Sequence, residues 1–97
     1  MAREVIGRRA VYRYEIPVDD QWWFVELSGP IIHVATREAR CVEIWALTGE
    51  EPRARSFRVF GTGQPLPDDE MPEKFVHIGS DVVPGGALVW HLFEAVR

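Results

Sequence analysis

The sequence predicts an all-β domain, a small antiparallel meander of about seven strands that curls into a sandwich or a half-open barrel. Three observations lead there. Seven short stretches alternate apolar and polar residues, the period of two expected of a strand with one dry and one wet face. These stretches are rich in Val, Ile, Trp, Tyr and Phe, which fit a pleated, half-buried surface. Most are ended by Gly, Pro or Asp, residues that break strands and supply turns.

The first strand puts Tyr12, Tyr14 and Ile16 on one face and Val11, Arg13 and Glu15 on the other, and the stretch from Pro17 to Asp20 turns the chain. A second strand follows with Trp23, Val25 and Leu27 on its apolar face. Trp22 and Phe24 lie on the opposite face, so this strand is expected to be covered on both sides or to meet another subunit. Gly29-Pro30 ends it. The third strand, Ile31 to Ala35, and the fourth, Cys41 to Leu47, read as a hairpin. The rival is a single helix over 36–47, since Ala35, Ala39, Val42 and Ala46 fall at helical spacing and Thr36 suits an N-cap. Val42, Ile44 and Trp45 are better strand formers, which favours the hairpin. The fifth strand is Ser56 to Phe60 and the sixth Phe75 to Gly79. The seventh is Leu88 to Ala95, entered through a tight turn at Pro84-Gly85-Gly86. Between the fifth and sixth lies the longest irregular segment, from Gly61 to about Glu73; such loops tend to carry function.

The 97 residues form one domain, 1–97, because a chain of this length has a single core to bury. With 46% hydrophobic and 27% charged residues it sits with ordinary globular proteins. Residues 1–9 lack the apolar stretch of a signal peptide and no segment is long enough to span a bilayer, so a cytoplasmic location is expected. The net charge of −4 arises C-terminally: residues 1–60 balance nine Arg against nine acids, while 61–97 set two bases against six acids. Such a domain repels phosphate backbones, and nucleic-acid and membrane partners are not expected. Much of the acidity lies in residues 68–73, read as a solvated loop. Cys41, the only cysteine, excludes an intrachain disulfide and reads as a buried small hydrophobe rather than a nucleophile.

Five segments carry a resemblance: Val11 to Pro17, Ile32 to Ala35, Ile44 to Leu47, Phe57 to Gly63, and Val89 to Glu94. Together they resemble a family of small uncharacterised proteins encoded by actinobacterial bacteriophages, across nearly the whole chain. In that pattern a histidine often follows the Gly-Thr-Gly turn, where Gln64 stands here. The resemblance implies a phage source, and hence the host cytoplasm, together with this shape. It brings no activity, although short phage proteins are often binders that interfere with host systems.

The candidate ligand-binding residues are Trp22, Arg55, Arg58, Gly61, Thr62, Gly63 and His91. Gly61-Thr62-Gly63 could offer main-chain amides to a phosphate, although it lacks the Lys and the helix of a P-loop, and a plain turn is the simpler reading. Arg55 and Arg58 could pair with that phosphate, against the plainer reading of edge-strand arginines facing water or a carboxylate. Four tryptophans and two tyrosines present flat faces for a base. Trp45 and Trp90 are read as core, while Trp22 is read as an interface or ligand surface. His33, His77 and His91 could hold zinc only if they converge, and no pair has the i, i+2 spacing that would put two ligands on one strand face. Ser28, Ser56 and Ser80 stand in unremarkable contexts, so no catalytic residue, metal or cofactor is assigned. The expectation is a non-enzymatic, homo-oligomeric binding protein that sequesters a nucleotide-derived signal of host defence. The alternative is a module docking on a host or virion protein, and the third is a metal-dependent hydrolase using the three histidines.

Overall fold

The computed structural model describes residues 9–49 and 51–96. Seven strands fill them: β1 (Val11–Pro17), β2 (Trp23–Leu27), β3 (Ile31–Glu38), β4 (Cys41–Leu47), β5 (Arg53–Gly61), β6 (Phe75–Val82) and β7 (Val89–Ala95). No helix occurs among the described residues. The strands form two antiparallel sheets, one of three in the order β1-β4-β3 and one of four in the order β2-β5-β7-β6. The sheets pack as a sandwich, the first of the two shapes expected. Strand order departs from a strict meander, since only β3-β4 and β6-β7 are neighbours in both chain and sheet.

Residues 36–47 adopt the hairpin, with β3 running on through Glu38 and a turn at Ala39 and Arg40. The alternation sets the core. Val42, Ile44 and Ala46 from β4, with Ile16 beside them from β1, face Phe57 and Val59 from β5, Leu92 from β7 and Leu27 from β2, all buried. Trp90 packs against this cluster and its Nε1 donates to the Ala39 carbonyl at 3.0 Å. Trp45 has the opposite parity and does not join the core; it is half-buried on the outer face, its ring 5.3 Å from that of His33.

Two contacts join the layers at one edge. Gly79 of β6 packs on Val34 of β3, where an added Cβ would meet Val34 Cγ2 at 2.9 Å. Asp81 accepts from the Thr36 amide at 2.8 Å and from its hydroxyl at 3.3 Å. The Thr36 amide is the first cause that holds the Asp81 carboxyl below its usual range.

On the outer face of the three-stranded sheet Glu43 is buried beneath two arginines. Arg37 Nε and Nη2 each donate to it at 2.5 Å, and Arg13 Nη1 completes the arrangement. These hydrogen bonds, with Arg37 first, pull its carboxyl from an ordinary 4.5 to about 2. The folded carboxyl therefore binds a proton less readily than the unfolded one. Its contribution is complete above roughly pH 4.5 and is lost as pH falls toward 2. Arg13 and Arg37 are 43% and 67% exposed, so solvent screening holds that contribution well below what the shift alone would imply. Urea melts of the wild type are expected to weaken more steeply on acidification through this window than those of Glu43→Gln.

Cys41 stands on the same face, half-buried beside Glu15, Glu38 and Glu43 rather than in the core. Burial, then these carboxylates, push its thiol pKa up, which disfavours the thiolate.

Candidate functional site

The seven candidate residues do not share one cleft; they fall into three places, set by face and by strand order. Arg55 has the parity of Phe57 and points inward at the end of β5. There it makes a two-pronged ion pair with Glu94, Nε to Oε2 at 2.6 Å and Nη2 to Oε1 at 2.7 Å, while Nη1 donates to the Gly29 carbonyl at 3.1 Å. The Glu94 hydrogen bond is the first cause of the raised Arg55 pKa. The pair lines a cleft of about 450 Å³ at the end of the sandwich, which also receives Arg9, Arg53, Ser28 and Gly29. Arg9 Nε donates to the Thr48 carbonyl at 3.0 Å. Among the described residues three guanidinium groups therefore meet one carboxylate in a domain whose overall charge is −4, and sequence reading misses Arg9 and Arg53 because the packing of the two sheets brings the segment before β1, held by Thr48, to the start of β5.

Arg58 has the other parity. It lies on a strand hydrogen-bonded on both sides, not at an edge, and its side chain is only 4% exposed. The guanidinium carbon lies 4.7 Å from the centre of the Phe60 ring, and Nη1 reaches Glu70 Oε2 at 3.5 Å. Arg58 Nε is buried without a hydrogen-bond partner. The 68–73 segment is thus more than a solvated loop, since Glu70 returns to the sheet. Its carbonyl also accepts from Trp22 Nε1 at 2.9 Å, so Trp22 is held half-buried by its own chain. Trp22, Phe24, Ser56, Met71 and Pro72 line a hollow of about 290 Å³ there.

Gly61, Thr62, Gly63 and His91 do converge. Gln64 N donates to the Gly61 carbonyl at 3.1 Å, and Gln64 Oε1 accepts from the Gly61 amide at 3.0 Å. The Gly61 amide is therefore taken, not free for a phosphate. Gly63 has φ 84°, the left-handed value a type II turn needs at its third position. This turn holds the Thr62 hydroxyl 2.7 Å from His91 Nε2. His91 Nδ1 lies 2.6 Å from Ser80 Oγ, and Ser80 Oγ lies 2.7 Å from His77 Nε2. The result is a continuous line, Thr62–His91–Ser80–His77, across the outer face of the four-stranded sheet.

A regular strand would not build it. His77 and Ser80 are three residues apart, a spacing that puts side chains on opposite faces. A register shift between His77 and Gly79 leaves Ile78 unpaired and restores both to one face. His33 belongs to the other sheet and does not join His77 and His91. Among the described residues no group of three His, Cys, Asp or Glu is placed to hold a metal ion.

A family profile described as "Domain of unknown function (DUF7352)" matches residues 8–97. No curated protein and no solved structure matches the chain.

Proposed function

The chain belongs to the DUF7352 family, whose description assigns no function, and we propose from its own surface that it is a small binding protein for a nucleotide-like anion, held at the Arg9, Arg53 and Arg55 cleft. The observation that supports this reading is the excess of guanidinium over carboxylate in a cleft of about 450 Å³, a size that suits a small-molecule ligand. Arg55 is fixed by Glu94, so Arg9 and Arg53 are the groups assigned to an incoming phosphate, with Ser28 beside them. Guanidinium forks suit phosphate oxygens. The role at this cleft is to hold the ligand unchanged, as a protein of phage origin sequestering a host-defence signal in the cytoplasm would.

The test is a melt series with cyclic dinucleotides, ADP-ribose derivatives and pyrophosphate. Ligand at about a hundredfold over its dissociation constant stabilises the fold by about 2.7 kcal/mol, a rise of roughly 10 °C or more for a domain of this size. Arg53→Glu is expected to weaken binding at least tenfold, read by titration at fixed salt, with the ligand recovered unaltered from the wild type. A flat response to every member would overturn the reading.

A second reading, docking on a protein or on another copy, rests on edge strand β2, where Phe24 is 60% and Trp23 39% exposed. Light scattering on the wild type and Phe24→Ser decides it: a mass above the monomer that falls in the variant supports self-association through β2.

A further inference from the structure

We propose that Ser80 is a nucleophile toward activated esters with an apolar acyl group, with His91 as its base, Thr62 as the group that positions His91, and His77 as donor to the developing oxyanion. This goes beyond the binding reading and concerns a different face of the molecule.

The line of contacts can run in either of two directions, and Ser80 is activated in the one in which His91 accepts from it. A serine hydroxyl has one proton, so of the two imidazole nitrogens at 2.6 and 2.7 Å from Ser80 Oγ one accepts and the other donates. With His91 Nδ1 accepting, the His91 proton sits on Nε2 and is donated to Thr62 Oγ1 at 2.7 Å. His77 Nε2–H then points at Ser80 Oγ, and every contact in the line is satisfied. A hydroxyl within reach of a base that a third group orients is the arrangement of an activated nucleophile. An imidazole N–H beside the attacking oxygen is a suitable oxyanion donor.

The supports are local. The Gly61 to Gln64 turn holds Thr62, and the Phe93 ring meets His77 edge-on at 5.5 Å. Ser80 and His77 are exposed to an incoming reagent. Beside Ser80 opens a groove of about 320 Å³ lined by Ile31, Ile32, Val34 and Ile78 together with His33 and Gly79, whose aliphatic side chains can receive a short acyl chain.

In the step, Ser80 Oγ bonds to the carbonyl carbon as its proton passes to His91 Nδ1, and the carbonyl oxygen takes the negative charge facing His77 Nε2–H. Collapse breaks the bond from the acyl carbon to the leaving oxygen, and the leaving group takes the proton from His91. Water repeats the sequence on acyl-Ser80 and releases the carboxylic acid. Thr62 is neutral and supports the imidazolium less than a carboxylate does, so both steps are slow and covalent labelling of Ser80 is the event to read.

The full chain would be treated with an alkyl fluorophosphonate, whose phosphorus bonds to Ser80 Oγ as the P–F bond breaks, and in parallel with p-nitrophenyl butyrate. One adduct mapping to Ser80 is expected, with none on Ser80→Ala and labelling at least tenfold slower in His91→Gln. Thr62→Val should slow labelling and Thr62→Ser should restore it, a rescue that a purely structural role would not give. Tyr12→Phe, exposed on the three-stranded sheet and outside both sites, should label like the wild type. These side chains lie at the surface, and thermal melts of each variant exclude unfolding as the cause. No adduct on the wild type, an adduct elsewhere, or an unchanged rate in folded His91→Gln would overturn the proposal.

Discussion

Gly29→Ala is expected to destabilise the domain by about 3 kcal/mol, the upper end of what overpacking costs. Gly29 lies where the chain leaves β2 of one sheet for β3 of the other. A Cβ there would stand 2.0 Å from the Leu47 carbonyl oxygen and 2.9 Å from its carbon. Backbone of a central strand cannot yield as the tip of a side chain can. The Leu47 amide is itself bonded to the Pro30 carbonyl at 3.0 Å, which ties the two segments together. Gly63→Ala is the contrast, since it meets open space and pays only for its left-handed φ of 84°; about 1 kcal/mol is expected. Chemical denaturation of the two variants measures both, and equal losses would mean that the crossing at Gly29 is looser than the structure shows.

Glu94→Ala is expected to cost about 2–3 kcal/mol and, at the same time, to tighten anion binding. Removing one partner of a fully buried ion pair costs about 3–5 kcal/mol because the other charge is stranded. Here the side chains of Arg55 and Glu94 remain 20% and 14% exposed at the cleft, which lowers the figure. Without Glu94, Arg55 keeps the Gly29 carbonyl and its place over the Phe57 ring and becomes a third guanidinium available to a ligand phosphate. Denaturant melts report the first effect, and pyrophosphate titration reports the second, with a gain of several-fold expected. Lower stability with unchanged affinity would mark the pair as structural and would remove Arg55 from the ligand site.

Much of the fold was readable because strand parity is local information. Tyr14 and Ile16 face inward while Arg13 and Glu15 face out; Leu27 is buried while Phe24, of opposite parity, is exposed. The hairpin at Ala39 and Arg40 followed from β-branched and aromatic residues in β4. Parity also erred where its partner was wrongly assumed. Trp45 reads as core by size, yet Val42, Ile44 and Ala46 claim the inner face. Arg58 reads as an edge residue, yet β5 is central and the chain around Glu70 covers it.

The site was legible only in fragments. His91 and Thr62 were singled out, but nothing in residues 77–80 announces that His77 and Ser80 share a face, because their spacing of three forbids it without the bulge at Ile78. Arg55 was named, while the carboxylate that fixes it lies 39 positions away, at a register set by the pairing of β5 with β7.

By itself, then, the sequence determined that the chain is β throughout, where most of its strands lie and which face of most of them is apolar, since alternation and turn residues act over a few neighbouring positions. Only the tertiary structure decided which strands are neighbours, and with that the Arg9, Arg53 and Arg55 cleft and the Thr62–His91–Ser80–His77 line. Both are built from residues far apart in the chain. They meet through strand order, register and one unpaired residue, and these are settled by how two sheets bury a single core.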